Sequence, residues 1–348
     1  MKTGTIRAWC AGLAGALALA CAPQAAAQAP RPTVGQAPQP ESQPPAIAPI
    51  TDAVNVLTPQ GRFVLEPSMQ YSHSSDSRVT VTGFTIIPAL AVGLIDVRSV
   101  DRDFWTFALT GRYGVTPRLE IETKLPWVSR SDSTLARPIS TPTAGDSEFH
   151  ARGHGIGDVE VAARYQMTDR PPFYIGYLRF KARTGDGPFD VALTTPQAGV
   201  TIEDELPTGT GFYSLQPGFT VLLPSDPAVF FGGLSYIWNV KRDIDSTDLN
   251  GVRIGEFDPG DGVNFNFGMG LSINDRASFS IGYDHSRFDK NKREGQLVQN
   301  TQVQQVGSIL FGLAYRLSLR TNFNLTLSMG ATRAAPDVQI GIRLPVNF

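Results

Sequence analysis

The chain ends in an alternation. Val338, Ile340, Ile342, Leu344, Val346 and Phe348 fall on one face of a strand, and Gln339, Gly341, Arg343 and Asn347 fall on the other. Successive strand side chains point to opposite faces, so this segment has one apolar and one polar side. The same period of two runs through Val263, Phe265, Phe267, Met269, Leu271 and Ile273 against Asn264, Asn266, Gly268, Gly270, Ser272 and Asn274. A single strand of this kind fits a soluble sandwich, where the apolar face is core, as well as a membrane barrel, where it meets lipid.

The connections separate the two. The alternation predicts strands at 62–73, 104–115, 118–129, 157–167, 173–184, 211–223, 228–241, 262–273, 277–288, 303–316, 322–330 and 337–348. Short turns such as Thr116-Pro117, Thr168–Pro172 and Asn274–Arg276 alternate with long segments near 74–103, 130–156, 185–210, 242–261 and 289–302. Short periplasmic turns, long outer loops and a closing strand that ends in Phe348 predict an all-β transmembrane antiparallel up-and-down β-barrel of about 12 strands. An even count puts both termini in the periplasm. The run Val79–Val97 leaves 14 strands open, if it holds two more membrane strands turning at Pro88. Otherwise it extends the first hairpin beyond the membrane or folds into the lumen as a constriction. Aromatic residues fall near strand ends: Tyr71, Trp105, Trp127, Tyr213, Trp238 and Tyr283 toward the long loops, and Tyr113, Tyr165, Tyr174, Tyr315 and Phe348 toward the short turns. Two girdles at the headgroup levels follow.

The N-terminus changes the picture of where the chain goes. Lys2 and Arg7 precede an apolar run, Ala11–Ala20, too short to span a bilayer, and Ala25-Ala26-Ala27 offers a cleavage site. Residues 1–27 read as a signal peptide, 28–57 as a Pro/Gln-rich periplasmic linker and 58–348 as the barrel, placed in the bacterial outer membrane. Both cysteines, Cys10 and Cys21, lie within the signal. Cleavage after Ala27 leaves no thiol chemistry; the alternative, lipidation at Cys21, lacks the usual branched residue three positions earlier. Removing Lys2 and Arg7 from the 30 basic residues leaves 28 against 32 acidic ones. That balance gives no basis for binding nucleic acid.

If the apolar positions face lipid, the others face the lumen. Arg118, Glu120, Glu122 and Lys124 then point inward from one strand, Asp158, Glu160 and Arg164 from the next, and Arg179, Lys181 and Arg183 from the third, with Arg112 beside them. The turn at 168–172 sets Asp158 by Arg183 and Glu160 by Lys181, and depth brings Glu120 toward Arg164. An Arg or Lys on the lipid face costs about 2–4 kcal/mol at the midplane, which inward clustering avoids. The cluster reads either as a salt-bridged filling that stiffens a narrow barrel or as a charged wall that selects solutes.

Other motifs point to weaker chemistry. His73-Ser74-Ser75 resembles the lipid-facing His/Ser pair of outer-membrane phospholipases and lipid A deacylases, but no third member that would orient the His follows in sequence. Gly153-His154-Gly155-Ile156-Gly157-Asp158 leads into a strand, not a helix, so it has no helix N-terminus to receive a phosphate. Its glycines predict a bend or bulge at the barrel rim. Asp146, Glu148, His150 and His154 are metal-ligand types in one long loop, and Asp243, Asp245, Asp248 and Asn250-Gly251 have calcium-ligand types without the calcium-loop spacing. No metal, cofactor or catalytic assignment follows from either.

Several stretches resemble an outer-membrane family labelled as associated with the meta-pathway of phenol degradation. They are Gln60–Ser68 with Tyr71, Ile87-Pro88-Ala89 before Gly93, Ala108–Gly114, Leu119-Glu120 and Gly153–Asp158. The resemblance spans about residues 55 to 348 and is most specific in the first half. It implies a transporter for small, aromatic or apolar organic solutes. It carries over no substrate-binding residue.

The expectation is therefore a passive outer-membrane channel for small organic solutes, constricted by loops 74–103 and 130–156. The alternatives are a non-conducting structural, adhesive or lipid-binding barrel and, third, an outer-membrane lipase. The implied partners are outer-membrane lipid and lipopolysaccharide, the barrel-assembly machinery and the solutes themselves.

Overall fold

Twelve antiparallel staves close into a barrel. The structure, a computed structural model, describes residues 56–81, 95–138, 147–191, 193–197, 200–203, 205–247, 253–298 and 301–348. The predicted signal peptide, most of the predicted linker and the segment 82–94 lie outside these residues. In chain order the strands are β1 (Phe63–Val81), β2 (Ile95–Thr116), β3 (Leu119–Pro138), β4 (Ser147–Ile156), β5 (Glu160–Gln166), β6 (Phe173–Lys181), β7 (Leu193–Gln197), β8 (Val200–Glu203), β9 (Ser214–Ser225) and β10 (Ala228–Asn239). They continue as β11 (Arg242–Thr247), β12 (Arg253–Asp258), β13 (Gly262–Ser272), β14 (Ala277–Phe288), β15 (Lys292–Arg293), β16 (Gln296–Leu297), β17 (Gln304–Arg316), β18 (Asn322–Gly330), β19 (Val338–Arg343) and β20 (Val346–Asn347).

The barrel runs β1-β2-β3-β5-β6-β9-β10-β13-β14-β17-β18-β19, and β19 pairs back onto β1. β4 and β5 make one stave, and so do β19 and β20. In the last stave Ser68 faces Arg343 and Val64 faces Asn347, so one register passes through the interruption at Leu344-Pro345. Pro345 has no N–H to give the ladder. The neighbours hold it regardless: Leu344 N donates to Pro67 O at 3.0 Å and Phe348 N to Phe63 O at 2.9 Å.

Alternation decides which face meets lipid. Phe107, Leu109, Leu125, Trp127, Phe219, Phe230, Phe267 and Ile340 stand exposed on the outside, while Glu66, Thr106, Thr110, Glu120, Glu122, Gln216, Ser235 and Asn264 are buried inside. A soluble sandwich would place these sets the other way round. The aromatic residues assigned to the two girdles are exposed or half-buried on this outer surface.

The first strands are taller than the sequence predicts. β1 pairs with β2 up to Val81 opposite Ile95, and β2 with β3 up to Ile95 opposite Pro138. The described ends of the run Val79–Val97 thus extend the first hairpin, with Val79 opposite Val97, and among the described residues the barrel closes on twelve staves. The segments expected to be constricting loops, 74–103 and 130–156, are in their described parts the upper ends of β1 to β4. The reason lies in solvent. Above the girdle both faces of a strand meet polar surroundings, so the alternation that marks a membrane strand fades into Ser, Asp and Thr.

The fourth stave breaks at Gly157–Val159. Below the break β5 lies between β3 and β6; above it β4 pairs with β3. Residues 205–208 run beside β4, through a parallel bridge from Glu205 to Arg152 and a bond from Leu206 N to Arg152 O at 3.0 Å. Outside the membrane, β11, β12, β15 and β16 form a small sheet. It closes over Phe212, Ile244, Ile254, Phe257 and Val298, with Phe189 packed against them.

Candidate functional site: the lumen cavity

The inward set of the first staves meets in a cavity of about 420 Å³. Its charged wall comes from Glu66 on β1, Arg112 on β2, Glu120, Glu122 and Lys124 on β3, Glu160 and Arg164 on β5 and Arg179 on β6. The opposite wall is uncharged over Thr220, Leu222, Asn266 and Asn324. Arg343 on β19 brings the lining to four carboxylates and five basic groups.

The charges pair across the strands. Arg112 opposes Glu122 in the β2–β3 register, and Glu120 opposes Arg164 in the β3–β5 register. Arg112 lies 2.9 Å from both Glu66 and Glu122. Arg164 lies 2.9 Å from Glu122 and 3.5 Å from Glu120. Arg179 reaches Glu160 at 3.5 Å. Each buried carboxylate thus lies beside a guanidinium that compensates its charge.

Four expected members, Arg118, Asp158, Lys181 and Arg183, stand outside this lining. Glu160 does oppose Lys181 in the ladder, but Lys181 pairs with Asp158, at 3.9 Å, and Arg183 does not. β6 ends at Lys181, and Arg183 beyond it leans over the Tyr213 ring at 5.9 Å. Arg118 sits in the β2–β3 turn, exposed, and pairs with Asp169 of the next turn, so it is a rim residue. Asp158 also accepts from Thr210 N at 2.7 Å, Thr210 Oγ1 at 2.6 Å and Gly185 N at 3.2 Å. It fastens segment 205–212 at the broken stave.

Both ends of the lumen are narrowed by chain. At the short-turn end, Leu57 and Thr58 are buried in the mouth, although the linker was expected to run to residue 57. Thr58 N donates to Glu120 Oε2 at 2.8 Å, and Gly61 N to Gly114 O at 2.8 Å. A β-carbon on Gly114 would stand 2.2 Å from Pro59 O, so only glycine admits this approach. At the long-loop end, Leu206 O lies 2.0 Å from where a β-carbon on Gly153 would be, and the Thr208 side chain rests 3.5 Å from the same point on Gly155. Arg130, buried on the inner face of β3, donates to Pro207 O at 2.9 Å. The glycines of Gly153–Gly157 thus make room for a returning segment. The stave breaks after them, between Ile156 and Glu160, and their close neighbours were not legible in sequence.

The outer cap is tied to this segment. Arg242 donates to Asp190 at 2.9 and 3.2 Å and to Gly211 O at 3.2 Å. The guanidinium beside it holds the Asp190 carboxyl below the ordinary carboxylate range.

The remaining motifs assemble less. His73 Nδ1 lies 2.9 Å from Asp103 Oδ1, which supplies the orienting group the sequence did not reveal. Ser75 Oγ, however, donates to Asp101 at 2.5 Å, not to His73, so nucleophile and base are not joined. Among the described residues no three His, Cys, Asp or Glu side chains converge as a metal site. Glu148 and His150 stand 3.6 Å apart, and Asp146 lies outside the described residues. Asp243 and Asp245 are taken by Arg253 at 3.1 and 2.9 Å, and Asp248 is likewise outside.

No family model matches the sequence, so the family label of the sequence resemblance stays an expectation. Among solved structures, the chain is similar to an outer-membrane channel from Pseudomonas putida F1, with 13% identity over 84% of this chain and 97% of that one and a TM-score of 0.55. It is more distantly similar to the translocator domain of the autotransporter NalP from Neisseria meningitidis, with 12% identity over 84% and 89% and a TM-score of 0.49. A toluene transporter from Ralstonia pickettii shows 13% identity over 84% and 90% with a TM-score of 0.43. At these identities the likeness is one of fold, and this chain has the fold of a bacterial outer-membrane β-barrel.

Proposed function

We propose that the protein is a passive outer-membrane channel for small organic solutes that carry little or no net charge. The observation that carries the reading is the lumen cavity, whose four carboxylates and five basic groups nearly cancel and are held against one another. A wall of unpaired like charge would select ions. A paired wall facing Leu222 and Thr220 offers hydrogen bonds and some apolar surface without a strong field. The volume suits a small organic molecule. The P. putida F1 protein of similar fold is itself an outer-membrane channel. The resemblance to the phenol meta-pathway family supports aromatic or apolar solutes as the cargo.

A second reading, a barrel that does not conduct, is favoured by the chain segments narrowing both ends. Planar-bilayer recording of the refolded protein separates the two. The channel reading expects small discrete steps with a reversal potential near zero in a salt gradient, displaced slightly toward anions by the single excess positive charge. A correctly inserted but silent barrel would favour the second reading. Strong selectivity for either ion would contradict the role given to the paired wall.

A further inference from the structure

The outward face of β1 to β4 changes character at one height. Met69, Phe107, Trp127 and Ile156 stand level with one another across the four strands. One pleat outward the row is Tyr71, Trp105, Ser129 and His154, and the next is His73, Asp103, Ser131 and Arg152. The step from lipid-facing to polar side chains is complete within those rows, at the headgroup level of an outer leaflet.

The polar rows are themselves divided. On β4, exposed Ile156 is followed outward by His154, Arg152 and His150, all exposed and in single file. Alternate residues of a strand stand about 6.8 Å apart, so the file spans roughly the width of a sugar-phosphate headgroup. Beside it on β3 run Ser129, Ser131 and Ser133, small hydroxyls that leave the basic file uncovered. One carboxylate, Glu205, stands beside Arg152 across the parallel bridge on the far side of β4. The acidic groups on β2, two strands away, are occupied. Asp103 accepts from Tyr71 and His73, and Asp101 from Ser75. Glu148, at the top of the file, is bonded by Ser133 Oγ at 2.8 Å.

We propose that the outward face of β3 and β4 is a docking surface for a phosphorylated glycolipid of the outer leaflet. Its phosphate meets Arg152 and His154, its sugar hydroxyls meet the serines, and its acyl chains lie along Ile156 and Trp127. A soluble anion would satisfy Arg152 but would leave the apolar wall directly beneath it unused. An uncharged lipid would do the reverse. The proposal rests on the outer-membrane reading and is independent of whether any solute passes through the lumen.

The test is a titration of the full-length refolded protein in neutral detergent with bis-phosphorylated lipid A, with its dephosphorylated form and with inorganic phosphate. Binding is followed by tryptophan fluorescence. Arg152→Glu is expected to weaken lipid A binding roughly tenfold, the worth of one charge-assisted contact. Arg320→Glu, at an exposed turn on the opposite rim, is expected to leave it unchanged. If Arg152→Glu does not fold, as read by heat-modifiable migration, Arg152→Gln carries the same expectation at lower amplitude. Equal affinity for the dephosphorylated lipid, unchanged affinity in the folded Arg152 variants, or equally tight binding of inorganic phosphate alone would each overturn the proposal.

Discussion

Glu122 carries the highest electrostatic stakes in the lumen, because it is buried and lies within hydrogen-bond reach of both Arg112 and Arg164. Removing one partner from a buried charge network leaves the others uncompensated, at a cost of about 3–5 kcal/mol. Glu122→Gln is therefore expected to lower stability by that order in urea unfolding from lipid vesicles, and an unchanged midpoint would show that water already screens the site. The Asp190–Arg242 pair behaves differently, being half exposed. Arg242 depresses the Asp190 carboxyl, so the contact is present above the ordinary carboxylate value of about 3.9 and is lost only as pH falls through the lower folded value. Protease resistance of the cap should hold at pH 5 and decline below about pH 4, whereas Asp190→Asn should raise cleavage at pH 5 and above and converge with the wild type at low pH. The rise should be no more than about fivefold, since exposed pairs are worth about 1 kcal/mol or less. At this scale parity alone was enough to bring Glu120, Glu122 and Arg164 to one face. It did not reveal Glu66, a lone inward carboxylate beside Pro67, or Thr58, whose backbone N–H rather than side chain makes the contact.

Two elements narrow the lumen, and each leans on a glycine. Gly114→Val would drive a side chain into the carbonyls of Pro59 and Thr58 and expel the N-terminal segment from the short-turn mouth. Gly153→Val would do the same to the segment at Leu206. Each variant should keep the barrel, because neither position faces lipid, and each should raise single-channel conductance. A conductance equal to wild type in both would mean that these segments do not limit the pathway. Strand positions in the membrane were legible almost to the residue, as at Ala277–Phe288 and Asn322–Gly330, because lipid on one side and lumen on the other enforce the alternation. The upper halves of β1 to β4 were not, since Ser129, Ser131 and Asp132 carry no apolar face to betray a strand. The split of the last stave at Pro345 was not foreseen either, although its register and its outward file survive.

At the scale of the whole molecule, the apolar surface, the paired lumen and the narrowed ends fit the proposed channel, one that would let little through and without regard to sign. The fold was legible from loop asymmetry and the closing strand. The state of the lumen was not, because whether a segment such as 205–212 folds inward is decided by contacts between residues some fifty positions apart, as between Thr210 and Asp158. The most direct test of the central claim is the initial rate at which intact cells, with lipopolysaccharide as their outer barrier, take up a small uncharged aromatic probe. Loss of the protein should lower that rate and its return should restore it. An uptake rate indifferent to the protein would contradict the account.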